Sequence, residues 1–364
     1  MRICKLSDIA KFTTGKLNSN AATMKGRYPF FTCAPEPLTI DTYAYDTKAV
    51  ILAGNNAEGN FHIQYYEGKF NAYQRTYIIE TNDETIADIR YLYYALKICL
   101  QHFKQISQGT ATKFLTAKIL NAFELPIPQI EEQQKIAFLL AEIDEKIKIN
   151  EIINNNLEQQ AQAIYQQMFI DNPNPDWIEG SLSDIANITM GQSPSGSSYN
   201  EDGIGAIFFQ GRAEFGFRFP TIRLYTTQPK RMAYANDILM SVRAPVGDLN
   251  VAHNDCCIGR GLAAIHSKTN HQSFVLYTMF SLKKQLDVFN GEGTVFGSIN
   301  RNSLNDMPIL IPEDEQIEKF ELIVASMDAA IRNNYDEICC LQAVRDSLLP
   351  RLMSGELDVS NIDL

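Results

Sequence analysis

Apolar residues along this chain follow two different periods, and the changes between them mark out its parts. Residues 131–170 contain no Gly or Pro, and their apolar positions fall into two seven-residue ladders. One is Ile136, Ile143, Asn150, Leu157, Ile164; the other is Leu140, Ile147, Asn154, Ala161, Met168. The design returns towards the C-terminus as Phe320, Met327, Asn334, Leu341, Leu348 and Val324, Ile331, Ile338, Arg345, Leu352. Alternating steps of four and three, sustained over several heptads, predict a coiled-coil seam. A helix of roughly 40 residues reaches about 60 Å at about 1.5 Å per residue. Elsewhere the pattern shortens to β-prone runs bounded by Gly, Asn, Asp or Pro, at Lys48–Leu52, Arg75–Ile79 and Asp237–Val242. Further helices are expected near Ile86–Phe103 and His271–Phe289. A Gly-Thr loop follows each, and then a short extended stretch, Leu125–Pro128 or Ile309–Pro312.

The order of these elements repeats. Leu6-Ser7-Asp8-Ile9-Ala10 recurs as Leu182-Ser183-Asp184-Ile185-Ala186, and Gly15 matches Gly191 at the same offset of 176. Gly109-Thr110 then matches Gly293-Thr294 at an offset of 184, and Pro128, Asp144 and Ile147 fall on Pro312, Asp328 and Ile331. Ordered matches across most of both halves make one unit written twice, with a net insertion of about eight residues in the second globular part. The expected fold is α+β: two mixed α/β domains separated by two long helices that form an antiparallel coiled coil with pseudo-twofold symmetry. The divisions are 1–129 for the first domain, 130–170 for the first helix, 171–312 for the second domain (171–176 being a linker) and 313–364 for the second helix and tail.

A stripe this long needs a partner: the other helix, a second copy of the chain, another protein, or its own domain. The repeat favours the other helix. The short, Pro-rich linker starts the second domain at the far end of the first helix, and an antiparallel return of the second helix would then set the domains at opposite ends. Asn150 and Asn334 are the middle members of equivalent ladders, so twofold pairing would bring them together and fix the register. The other outcome is that both face water or a partner subunit.

Charge alters this picture little. The net charge of -11 is concentrated in the helical segments. Residues 1–129 carry +3, residues 130–170 carry -4, residues 171–312 carry -2 and residues 313–364 carry -8. Near-neutral domains permit local basic patches, which is what phosphate contact requires. The seven cysteines form no CxxC pair, which removes zinc-ribbon and thioredoxin readings. With no secretion signal and no apolar run long enough to span a bilayer, a cytoplasmic protein with reduced thiols and no membrane partner is expected.

The search for chemistry is negative. There is no GxxxxGK[ST] loop, no GxGxxG between strand and helix, and no G-x-S-x-G. Asn172-Pro173-Asn174-Pro175 is a poor match to an adenine-methyltransferase motif and lies in the linker. The five histidines lack metal-ligand spacing. Glu67-Gly68-Lys69 has the E-x-K form of some nucleases, but the second copy has no counterpart, so it reads as a solvated turn. No catalytic residue and no metal site are assigned.

On these residues the chain resembles the specificity subunit of type I restriction-modification systems. The resemblance is carried by Leu-Ser-Asp-Ile-Ala opening each half, with Trp177 shortly before the second. It extends through Ile127-Pro128 with Glu131-Glu132-Gln133-Gln134-Lys135 and Ile311-Pro312 with Glu313-Asp314-Glu315-Gln316. It ends on Leu348-Leu349-Pro350-Arg351-Leu352-Met353-Ser354-Gly355-Glu356-Leu357. It departs from the pattern where the second entry diverges, Glu315-Gln316-Ile317-Glu318 standing for EEQQK. The resemblance implies a non-catalytic subunit whose domains each read one half of an asymmetric, bipartite double-stranded DNA target. It implies helices that dock methylation subunits, two of them, which carry the S-adenosylmethionine site. A restriction subunit can join that core, and this chain itself would bind no cofactor.

Base readout needs donor side chains on exposed loops. The candidates in the first domain are Lys16, Asn55, Asn56, Tyr73, Gln74, Arg75 and Lys113. Those in the second are Gln192, Ser193, Gln210, Arg212, Arg243, Arg260 and Thr294. Two other readings stay open: an enzyme fragment with an unrecognised methyltransferase or nuclease site, and a protein-binding scaffold.

Overall fold

The computed structural model describes residues 1–291 and 297–359. It divides into two compact units, Met1–Asn150 with Asp336–Leu364, and Glu151–Tyr335. The long helices run Ile130–Tyr165, continued by a wider turn over Gln166–Ile170, and Asp314–Met353. They do not form a unit of their own, because each unit takes a half of each helix.

In the first unit a six-stranded mixed sheet runs in the order Ala10–Thr14, Thr76–Thr81, Tyr45–Ala53, Ile63–Ala72, Tyr28–Phe31, Leu38–Ile40. The second half of the central strand Tyr45–Ala53, from Ala49 on, is buried on both faces, and strand alternation sends its side chains to two cores. Val50 and Leu52 join Tyr91, Leu92 and Leu96 of the helix Ile89–Ile98, together with Ile136, Leu140, Leu349 and Leu352 of the long helices. Ala49 and Ile51 join Phe31, Phe70, Ala72 and Ile78 on the other face. The amphipathic helix Ile89–Ile98 thus seals the sheet against the coil. Its N-terminus is capped by Asp88, which accepts from the Tyr91 N–H at 2.8 Å. The buried Gln133 of the long helix ties the approach to it, accepting from the Asp88 N–H at 2.9 Å and donating to the carbonyls of Ile86 and Pro128.

The second unit repeats this plan with one break. Ala186–Met190, Leu262–Ser267, Ile238–Ser241 and Leu249–Val251 form a four-stranded sheet; Tyr199–Asn200, Leu224–Thr226, Ala206–Phe209, Cys256–Ile258 and Met232–Ala233 form a five-stranded one. Where the first unit has the single strand Ile63–Ala72, this unit has Leu249–Val251 and Cys256–Ile258, so the sheet splits. The parallel pairing of Phe31 with Ala72 is nevertheless preserved as Phe209 with Ile258. The flanking ribbons agree residue for residue. Arg2–Lys5 pairs with Glu124–Ile127, Arg2 opposite Ile127, and Ile178–Ser181 pairs with Pro308–Ile311, Ile178 opposite Ile311. The main core again joins sheet, helix Gln272–Ser281 and coil, through Ile238, Ile265, Phe274, Tyr277, Ala161, Phe320, Val324 and Ile331. Glu321 of the coil accepts from the N–H groups of Ser273 and Phe274 at 3.1 and 3.0 Å, doing for this helix what Asp88 does for its counterpart.

The ladder positions are buried or half-buried throughout, and the pairing is antiparallel within each unit. In the first unit Asp144 meets Arg345 at 2.8 Å, while Lys146 and Asn150 meet Glu337 at 3.5 and 2.8 Å. In the second, Asn154 meets Asn334 and the Ile331 carbonyl at 2.8 and 3.4 Å. Asn150 is buried and spends its amide on Glu337, and Asn334 donates to Asn154. Two adjacent ladder positions of the first helix hold asparagine, and the register matches Asn334 with the second of them.

A further repeated feature anchors each helix to its domain. Tyr94 donates to Asp144 at 2.8 Å, and Tyr277 donates to Asp328 at 3.0 Å. Each carboxylate also takes an arginine, from unlike places: Arg345 of the second long helix for Asp144, and Arg218 of the second domain for Asp328.

Candidate nucleic-acid interface

All seven candidates of the first domain gather at one end of its sheet. Lys16 follows the strand Ala10–Thr14, Asn55 follows Tyr45–Ala53, and Tyr73–Arg75 make the turn between Ile63–Ala72 and Thr76–Thr81. Asn55 and Asn56 pair antiparallel with Phe114 and Lys113. The Gln74 N–H donates to the Leu17 carbonyl at 2.9 Å, and its side-chain amide donates to Asn18 Oδ1 at 2.9 Å. The Arg75 guanidinium lies over the Phe114 ring, 5.3 Å from its centroid. Lys16, Gln74 and Arg75 are exposed, and Asn55, Asn56, Tyr73 and Lys113 are half-buried. Asn56 is committed to its own turn, its Oδ1 accepting from the N–H groups of Glu58 and Asn60. Sequence reasoning missed Cys33, whose thiol donates to Asn55 Oδ1 at 2.9 Å. It also missed Phe114, and Lys104, which donates to Asn60 at 2.8 Å. None of these stands in a glycine-flanked polar loop, the signal used for selection.

In the second domain Ser193, Gln210, Arg212, Arg243 and Arg260 line a single cleft of about 430 Å³, joined by Arg223 and Glu214. Gln192 is exposed beside it. Thr294 lies outside the described residues. The four arginines divide by what they touch. Arg212 pairs with Asp248, and Arg223 pairs with Glu201 and Glu214 at 3.0 and 2.9 Å. The hydrogen bonds that Arg223 donates to Glu214 and, less, to Glu201 hold its guanidinium above its ordinary pKa. Arg243 and Arg260 are exposed and make no ion pair among the described residues. In the strand Cys256–Ile258, Cys256 is fully buried, and burial pushes its thiol up to about 12, so it packs as an inert apolar group.

The two faces stand on one main-chain frame. Gly15 N–H donates to the Thr76 carbonyl, as Gly191 N–H does to Leu262. Tyr73 N–H donates to Phe31, as Gly259 does to Phe209; Gly54 N–H donates to Arg75, as Val242 does to Gly261; Leu115 N–H donates to Gly54, as Ile299 does to Val242. Arg243 bridges Ser298 just as Asn55 pairs with Phe114. The matched glycines have a steric reason. A Cβ on Gly15 would fall 2.0 Å from the Ala72 carbonyl oxygen, and one on Gly191 would fall 2.1 Å from that of Gly259. The frame therefore places Lys16 where Gln192 stands, Leu17 at Ser193, Thr32 at Gln210, Asn55 at Arg243, Gln74 at Arg260 and Phe114 at Ser298. The offset between these partners is 176 at Leu17 and Ser193, 178 at Thr32 and Gln210, 188 at Asn55 and Arg243, and 184 at Phe114 and Ser298. The net insertion is thus a longer excursion between Gln210 and Arg243, partly offset afterwards, and Arg218 lies in that excursion.

Among the described residues no cluster of three or more His, Cys, Asp or Glu could hold a metal ion, and no helix is long and apolar enough to cross a membrane.

Comparison with known proteins agrees with this duplication. The family described as type I restriction modification DNA specificity domain matches twice, over residues 1–159 and 174–334. A Methanocaldococcus jannaschii protein bearing the name type I restriction enzyme MjaX specificity subunit is 32% identical over 73% of this chain and 68% of its own length. The type I restriction enzyme EcoDI specificity subunit of Escherichia coli is 26% identical over 97% of this chain and 88% of its own. The crystal structure of the type I restriction-modification system S subunit from M. genitalium shares the fold, with a TM-score of 0.64 at 16% identity, covering 96% of this chain and 95% of that one.

Proposed function

The chain belongs to the family of type I restriction modification DNA specificity domains, and from that premise we propose that its two sheet-end faces are the surfaces that read DNA, one for each half of a split target. The observation that carries this reading is the shared frame bearing unlike side chains. Equivalent main-chain positions present Asn55 and Gln74 in one domain and Arg243 and Arg260 in the other. A common frame sets a common docking geometry, while base-edge contacts carry sequence information. Because the donors differ, the target is asymmetric. Lys16 and Lys113 supply phosphate contacts in the first domain; the committed Arg212 and Arg223 shape the cleft in the second.

The coil docks the methylation subunits. In the first unit its helices leave Phe138, Ile149 and Val344 exposed, and in the second Ile152, Ile153, Leu322 and Ile323. Apolar groups of this size on charged helices are what a partner surface covers. Exposed apolar residues on the coil of each unit support two methylation subunits, which would hold S-adenosylmethionine, and a restriction subunit would add to that assembly. This chain then acts without a catalytic site of its own.

The test is co-purification with methylation subunits followed by mapping of methylated sites on genomic DNA. A single non-palindromic motif of two specified blocks around an unspecified gap is expected. A continuous or palindromic motif would sink the reading, and so would the isolated chain modifying or cutting DNA by itself.

A further inference from the structure

We propose that the two faces read different bases at equivalent positions, guanine through Arg243 and Arg260 in the second domain, adenine through Asn55 and Gln74 in the first. This rests on the reading of the sheet-end faces as DNA surfaces and assigns what those surfaces select.

In the major groove guanine presents two acceptors, O6 and N7, which fit the fork of a guanidinium; adenine presents an acceptor and a donor, N7 and the N6 amine, which fit a carboxamide. A side chain can read a base only if its donors are free. Arg212 and Arg223 fail that condition, being held by Asp248, Glu201 and Glu214. Arg243 and Arg260 meet it, since both are exposed, both line the cleft and neither makes an ion pair among the described residues. Their backbones are also fixed. Arg243 bridges Ser298, the Arg260 N–H donates to Ser193 Oγ at 3.1 Å, and the Gly261 N–H donates to the Gln210 carbonyl.

The first domain offers carboxamides at the same two places, each with one bond already made. The Cys33 thiol takes one lone pair of Asn55 Oδ1, leaving both amide N–H groups and the second lone pair. Gln74 gives one N–H to Asn18, leaving its oxygen and the other N–H. Each keeps the donor and acceptor that adenine needs, and the bond it has made orients it. Arg75 has no basic counterpart, Gly261 standing in its place, and adds a contact special to the first domain.

The test uses the full chain co-expressed with methylation subunits, with methylated sites mapped for the wild type and four exchanges, Arg243→Asn, Arg260→Gln, Asn55→Arg and Gln74→Arg. The first two are expected to lower the preference for guanine at a position of one block by roughly 5- to 150-fold, the value of one bidentate pair. The last two should act the same way on adenine in the other block, and each exchange should leave the opposite block unchanged. Arg243→Lys keeps the charge without the fork, and should lose guanine preference while retaining affinity for DNA of unrelated sequence; it decides the matter if Arg243→Asn fails to fold. A motif whose blocks keep their base preferences in these variants overturns the assignment, as does a change at a position other than guanine or adenine. Two kinds of failure are distinguishable. If the arginine exchanges weaken binding to all sequences alike and lower the salt slope by about one each, the arginines touch phosphates; the base assignment falls and the faces still bind DNA. If every variant binds and methylates as the wild type does, the faces are not DNA surfaces and the underlying reading falls too.

Discussion

Arg218 is a tightly held charge of the second unit. Its side chain is 4% exposed and bonds Glu158 and Asp328, each at 2.9 Å, and Tyr277 at 3.1 Å. Burial pushes the Glu158 carboxyl up and the arginine pulls it back. Arg218→Ala would leave two carboxylates desolvated without a cation, so a loss of about 3–5 kcal/mol is expected in urea unfolding. Arg345→Ala, at a half-buried pair more exposed than that of Arg218, should cost less, about 1 kcal/mol. At the opening of the same domain, the Ser181 N–H and hydroxyl hold the Asp184 carboxyl below its ordinary pKa, the N–H making the larger contribution. Its folded-state value being depressed, its contribution to stability is present above the ordinary carboxylate pKa and is lost as pH falls through the folded-state value. A carboxyl titration followed by NMR should find Asp184 below the ordinary aspartate value, and Ser181→Ala should move it part of the way back. Residues of this kind were half legible. Asp144 and Asp328 stand out as matched positions of the repeat, whereas their arginines come from different segments, and nothing in the spacing connects Arg218 with a residue 110 positions away.

The long helices were legible because a seven-residue period and the absence of Gly and Pro admit no other element, and Pro350 falls only in the last turn of the second helix. Their register was not. A ladder says which positions face the seam and leaves open which of two neighbouring asparagines meets the third. That choice depends on pairings such as Asn150 with Glu337, a residue off the ladders. The bond between Asn154 and Asn334 can be weighed directly. In a double-mutant cycle with leucine at each position, a coupling of about 0.5–1.5 kcal/mol is expected. The cycle would show none if the asparagines were independently solvated. The sheets were the least legible elements. Short strands such as Asn55–Asn56 and Met232–Ala233 carry too few residues for alternation to show, and the excursion between Gln210 and Arg243 breaks the constant offset that alignment of the halves relies on.

At the scale of the whole chain, the motifs that open each half, enter each long helix and close the second carried the family resemblance, and the structure added that the domains are not separable from the coil. Each compact unit closes its core with residues from both long helices, such as Leu140 and Leu352 in the first and Ala161 and Val324 in the second. Asn55 and Arg243 belong to different units and share no partner among the described residues. Alanine at both should therefore lower target binding by the sum of the single effects, to within about 0.5 kcal/mol. A shortfall larger than that in titration of the assembled complex would mean that the half-sites are read cooperatively.

The frame beneath the two faces has a consequence for descent. Its defining bonds, from Gly15 to Thr76, Gly54 to Arg75 and their counterparts, run between peptide groups and place no condition on the side chains they carry, apart from the crossing glycines. On the proposed reading, a point mutation at Asn55, Gln74, Arg243 or Arg260 would thus alter what is recognised while the chain still folds. Both copies have kept the frame and diverged at these positions. On that reading, lineages carrying such a chain would move between targets one codon at a time, through intermediates that still fold and stay exposed to selection.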